Sequence, residues 1–168
     1  MSAPSRCVFL EIGHPRLLEI QEVRVELDPL ADKIAPHIPL IFTFRNDIPL
    51  GDLISLLGSI APTKPFPISL GKPAALGTNL YYPIDKGGKE ILALRTMVYE
   101  MLPDLLQPGD HPPYLSFGHL IPGQDPKPML EKADAALRGT AYGALSALVL
   151  ERIGDRGESI EEFRTKIG

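Results

Sequence analysis

Apolar side chains along this chain recur with two different spacings, and the spacing changes block by block. Residues 7–12 form an apolar run closed by Gly13, His14 and Pro15, which predicts a buried strand ending in a loop. From Leu17 onward Ile20, Val23, Leu27 and Leu30 fall three or four apart, the spacing of a helix face, interrupted near Pro29. Val23, Val25 and Leu27 also alternate, which leaves a strand as the alternative there. Residues 36–44 have two faces, His37, Pro39, Ile41 and Thr43 on one and Ile38, Leu40, Phe42 and Phe44 on the other, so a strand with one core face is expected. Pro49 then opens a helix whose stripe of Leu50, Leu53, Leu57 and Ile60 stops before Pro62.

Two short strands follow, at residues 68–70 and 80–84, separated by prolines and glycines. A helix after Gly88 aligns Ile91, Leu94, Val98 and Met101 on one face and ends at Pro103. Residues 112–120 read as a strand. Pro128 opens another helix, with Leu130, Ala133 and Leu137 inward and Gly139 at its C-terminal cap position. Residues 144–153 form an apolar strand, and the alternation of Phe163, Thr165 and Ile167 predicts a closing one. Strands therefore alternate with helices in two similar halves split around residue 85, within a single domain over 1–168.

Composition narrows the function classes. At 168 residues the chain is long enough for a sizeable core. A formal net charge of −4 without runs of like charge argues against an extended nucleic-acid surface. Cys7 is the only cysteine, which excludes an internal disulfide and a multi-cysteine zinc site and fits a reducing, cytoplasmic setting. No apolar run approaches the ~20 residues of a membrane-spanning helix, so no membrane partner is expected. Neither a Gly-rich phosphate loop, a nucleophile elbow nor a zinc helix is present, and no cofactor or metal is expected.

The chemistry lies in two look-alike segments, PHIPLIF at 36–42 and PPYLSFG at 112–118. Side chains two apart on a strand share a face, so His37 pairs with position 39, and Tyr114 with Ser116. Brought together in one cleft, two opposed acid/base rings with neighbouring hydroxyls suit in-line attack at phosphorus: one ring takes the nucleophile's proton, the other protonates the leaving oxygen.

PHIPLIFTFRND, the helices that follow, PPYLSFGHL and the apolar strand near the C-terminus resemble the two-histidine phosphoesterase superfamily, the 2′-5′ RNA ligase-like proteins, over most of the chain. The resemblance implies an α+β, bilobal fold: two interleaved, pseudo-symmetric sheet-plus-helix lobes around a central cleft. Each lobe would contribute a His-x-Thr/Ser motif to chemistry on 2′,3′-cyclic phosphates or 2′-5′ linkages, usually without metal. His37 matches the first histidine, but Pro39 stands in place of the first hydroxyl; Ser116 matches the second hydroxyl, but Tyr114 stands in place of the second histidine. Proline donates no hydrogen bond, and tyrosine, with an ordinary pKa near ~10, is a proton donor rather than a base at neutral pH. His119 and His111 are the additional candidates, the first pointing away from the Tyr114 face unless the strand bulges, the second in a loop; His14 is more remote.

Each residue has an ordinary alternative: His37 a hydrogen-bonded structural histidine, Tyr114 a strand aromatic at a rim, Ser116 a small polar residue on an open sheet face. Arg45, Lys64 and Lys72 read as surface cations, and Tyr81 and Tyr82 as strand aromatics that can also stack a base. The expectation is a phosphoesterase-related hydrolase, of cyclic phosphodiesterase type, acting on a small-molecule or short nucleotide substrate, with His37 as acid/base, Tyr114 as partner and Ser116 as anion contact. The alternative is a member of the family that binds or converts a non-phosphorylated organic molecule.

Overall fold

The computed structural model describes residues 4–13, 17–45, 47–102, 111–137 and 141–168. Four helices and eight strands are found among them: β1 (Ser5–Gly13), α1 (Leu17–Leu27), β2 (Ile38–Arg45), α2 (Leu50–Ile60), β3 (Pro67–Leu70), β4 (Ala74–Leu76), β5 (Asn79–Pro83), α3 (Gly88–Met101), β6 (Tyr114–His119), α4 (Lys127–Ala136), β7 (Ala141–Ile153) and β8 (Ser159–Lys166). The helical alternative holds for residues 17–27. His14, Pro103 and Gly139 lie outside the described residues.

Two antiparallel sheets make an α+β, bilobal architecture. The first runs β2-β1-β7, and the 13-residue β7 shares its far edge between β3 and β8. The second runs β4-β5-β6. Its first hairpin, a plain turn by sequence, closes through Gly77 and Thr78, with Gly77 at φ +58° where L side chains are disfavoured. The split near residue 85 does not divide the sheets, because β4 and β5 join β6 while β7 and β8 return to β1.

Each sheet buries one face. Val8, Leu10 and Ile12 of β1 join Leu53, Leu57 and Ile60 of α2 and Ile91, Leu94 and Val98 of α3; Leu80 and Tyr82 of β5 and Leu115 and Phe117 of β6 join Ile20 and Val23 of α1 and Ala133 of α4. One continuous apolar cluster contains both groups. The Tyr82 hydroxyl, wholly buried, donates to Ala133 O at 3.0 Å and ties α4 to the second sheet. Met101, expected inward, is exposed at the last turn of α3.

β2 and β6, which carry the two look-alike segments, are edge strands of different sheets and pack against one another. Their open faces form two facing walls.

Candidate active site

The first wall is the open face of the first sheet. Cys7 and Phe9 of β1 alternate with the buried Val8 and Leu10, and Phe9 packs with Ala147 and Val149 of β7. His37, immediately before β2, lays its ring on Phe9 with centroids 4.7 Å apart. A hollow of about 300 Å³ opens here, lined by Cys7, Phe9, His37, Pro39, Phe42 and Thr43, among others.

The simple alternation expected for residues 36–44 is corrected by the backbone. Pairing with β1 runs Phe9↔Pro39, Val8↔Ile41 and Arg6↔Phe44, so two register shifts interrupt the ladder. A bulge turns every later side chain over. Ile41 is therefore buried beside Ile38 and Leu40, whereas Phe42, assigned to the core from its spacing, is 37% exposed.

The displaced Phe42 connects the two walls. Besides lining the His37 hollow, its ring lies 6.4 Å from that of Tyr114 and 5.0 Å, edge-on, from that of His111. Tyr114 in turn stands 5.4 Å from Tyr81 and 5.6 Å from His111. By sequence His111 belongs only to a loop; the fold sets it against Tyr114. Tyr114 and Ser116 do share a face, opposite the buried Leu115 and Phe117. The Ser116 hydroxyl has partners already, Asn79 Oδ1 at 2.6 Å and Leu80 O at 3.3 Å.

A further register shift lies between β5 and β6, where Leu80 pairs with Gly118 but Tyr81 with Ser116. It is the bulge that His119 needed. His119 comes to lie opposite Asn79, and its Nδ1 is 3.7 Å from Asp28 Oδ1. Asp28, just beyond α1, is buried and accepts from Arg24 Nε at 3.2 Å and Nη2 at 2.9 Å through Oδ2, and from Leu30 N through Oδ1. Arg24 Nη1 donates to Gln21 Oε1.

Burial favours the neutral forms of the His37 and Tyr114 rings. Burial holds His37 below its ordinary 6.5, offset by its bond to Ala35 O and followed by the charges of Arg24, Asp28 and Glu11. Because a carbonyl only accepts, Nδ1 carries the hydrogen of that 2.8 Å bond, and Nε2 keeps the lone pair. Burial raises the Tyr114 phenol above 10 against the opposing charge of Arg95. Glu151, paired with Cys7 on the same wall, is pushed up to about 7 by burial and then by Glu161 and Glu11. Burial, with the Glu151 charge adding to it, lifts the Cys7 thiol to about 12, which makes it inert as a nucleophile.

A model of the 2′-5′ RNA ligase superfamily matches residues 13–153. The chain belongs to that superfamily. No curated protein matches it by sequence. Solved structures share the fold at low identity: LigT of E. coli complexed with 3′-AMP is 12% identical with a TM-score of 0.66, covering 98% of each chain. A phosphoesterase structure is 13% identical at 0.66, again over 98% of each, and TT0787 of Thermus thermophilus is 12% identical at 0.60 over 97% of each.

Within this 2′-5′ RNA ligase superfamily fold, neither Lys64 nor Lys72, two of the cations singled out from sequence, lines the His37 hollow. Lys64 is exposed, Lys72 lines a separate hollow beside α4, and the Arg45 side chain lies outside the described residues. Arg95 is the functional candidate that the sequence reading misses. It is 5% exposed on α3, and Nη1 donates to His111 O at 3.1 Å. A signal for it exists, since Ile91, Leu94, Arg95 and Val98 form one i, i+3, i+4, i+7 stripe with a charge inside it.

Proposed function

We propose that this superfamily member is a phosphoesterase-type acid/base enzyme acting on a small nucleotide or other phosphorylated substrate. His37 Nε2 takes the proton of the attacking water or hydroxyl, and the Tyr114 hydroxyl protonates the leaving oxygen. Solvent returns the proton from His37 to the phenolate. The observation that carries this reading is the neutral, oriented His37 ring at a hollow whose Phe42 wall also touches Tyr114. Structures of similar fold contain 3′-AMP, ATP, NADP+ and phosphate, which supports a nucleotide-sized phosphate ligand. Ser116 serves as an anion contact by exchanging its bond to Asn79 for one to the substrate. His111, 5.6 Å from Tyr114, serves as a supporting group beside the acid, and His119, 3.7 Å from Asp28, as an outer one.

The test is hydrolysis of 2′,3′-cyclic nucleotides and of a 2′-5′ dinucleotide by the full chain. Turnover that disappears in His37→Gln supports the reading; absence of turnover on both substrates, with His37→Gln indistinguishable from wild type in substrate binding, ends it.

The lining of the His37 hollow favours a second reading. Among the described residues it holds Cys7, Val8, Phe9, Leu30, Ile34, Pro39 and others without one Lys or Arg, and Glu11 and Glu151 act on the same wall. Such a lining suits a neutral organic molecule. Thermal stabilisation by neutral heterocycles and none by nucleotides would select this reading.

A further inference from the structure

Arg24 and Arg95 are two buried arginines with opposite fates. Arg24, 2% exposed, directs Nε and Nη2 onto Asp28 and Nη1 onto Gln21. In Arg95, 5% exposed, Nη1 reaches His111 O, but Nε and Nη2 are buried with no partner among the described residues. A guanidinium cannot shed its proton in a protein, so it escapes the several-kcal/mol cost of an unpaired buried charge only by meeting an anion. Among the described residues the ionisable groups acting on Arg95 are Tyr99 and Tyr114, and burial keeps both phenols protonated. Neither supplies a counter-charge.

Nε–H and Nη2–H lie along one edge of the guanidinium plane, parallel and spaced to meet two oxygens of a single carboxylate or phosphate. We propose that this edge of Arg95 is a binding fork for a small oxyanion, a phosphate or a carboxylate, held between α3 and the His111–Tyr114 segment. The inference does not depend on the role of His37. His111 Nδ1 donates to Pro112 O at 3.2 Å, and Nε2 is buried and unpartnered among the described residues, so its lone pair is free for a hydroxyl of the same ligand. The fork nitrogens are closed to solvent, and entry of an anion requires the His111 ring to leave Phe42 and Tyr114 and to give up its bond to Pro112 O.

The experiment titrates 15N-labelled full chain with inorganic phosphate and, separately, acetate, with chloride as the ionic-strength control, and follows the arginine Nε–H resonances. Arg95 is identified by the signal missing in Arg95→Lys or, should that variant not fold, by its Overhauser contact with the Tyr114 ring. The expected result is a saturable shift of that resonance with slowed exchange, and binding about tenfold or more weaker in Arg95→Lys. A response to phosphate alone assigns a phosphate ester, and a response to both anions assigns a carboxylate-tolerant site. An Arg95 resonance that moves no further with phosphate or acetate than with chloride overturns the proposal, as does equal anion protection against heat in Arg95→Met and wild type.

Discussion

The Nδ1–H of His37 donates to Ala35 O across 2.8 Å, and this one bond decides which ring nitrogen is available for chemistry. His37→Gln is expected to lower kcat/KM about 100-fold or more, the range for loss of a general base. Burial holds the ring below its ordinary 6.5, so the acid limb of the kcat/KM profile should lie under that value. The unfolded chain takes the proton first as pH falls, so the neutral ring contributes stability that is lost as pH drops through the folded-state value. Rate–pH and melting–pH profiles of wild type and His37→Gln read both effects.

Tyr114→Phe removes one hydroxyl and leaves the ring against Tyr81 and Phe42. Melting should change by no more than about 1 kcal/mol, while turnover falls by about 100-fold. The phenol lies above 10, so wild-type activity should show no alkaline limb from this group below that pH.

Glu151 titrates in the opposite direction to a paired carboxylate. Its folded value of about 7 exceeds the ordinary 4.5, so its contribution to stability is fully present below 4.5 and is lost as pH rises through 7. Glu151→Gln should melt higher than wild type at about pH 8 and lose that advantage at about pH 5. Differential scanning at the two pH values measures it.

Asp28→Asn strips the carboxylate from a buried guanidinium and should cost about 3–5 kcal/mol. Combining it with Arg24→Met removes the stranded charge. The double variant should therefore recover much of the loss in urea unfolding, the reverse of additive damage.

Gly118 supports the second wall by what it lacks. A Cβ there would lie 2.8 Å from Leu27 Cβ and 3.0 Å from Leu27 O, so α1 could not keep its place on β6. Gly118→Ala should destabilise by about 1–3 kcal/mol in chemical denaturation.

Much of the fold is legible in the sequence because its elements are short and cleanly periodic. The stripe Leu53, Leu57 and Ile60 buries as its spacing dictates, and Cys7 to Ile12 pairs as a strand on both sides. What periodicity cannot carry is a bulge, since an inserted residue changes the face of those after it without changing their identity. Spacing assigns Phe42 inward and His119 away from the Tyr114 face for that reason. β4 escapes notice because Ala74–Leu76 is only three residues long and gains its regularity from pairing with β5. The apposition of 36–44 and 112–120 is readable from their likeness, whereas His111 beside Tyr114 depends on how the chain approaches β6. Arg95 and Arg24 each stand four residues after a buried isoleucine, Ile91 and Ile20, a pattern that marks charges brought indoors.

The route of the backbone has a consequence for ligand entry. The strand β1 is followed by α1 on the other sheet before the chain comes back as β2; β4 and β5 precede α3, which packs on β2, and only then comes β6. Among the described residues so many threads are stitched across the seam that the halves lack a single joint about which to swing apart. The aperture is preset by the weave, and under the proposed function the admission of substrate falls to side chains such as Phe42 and His111.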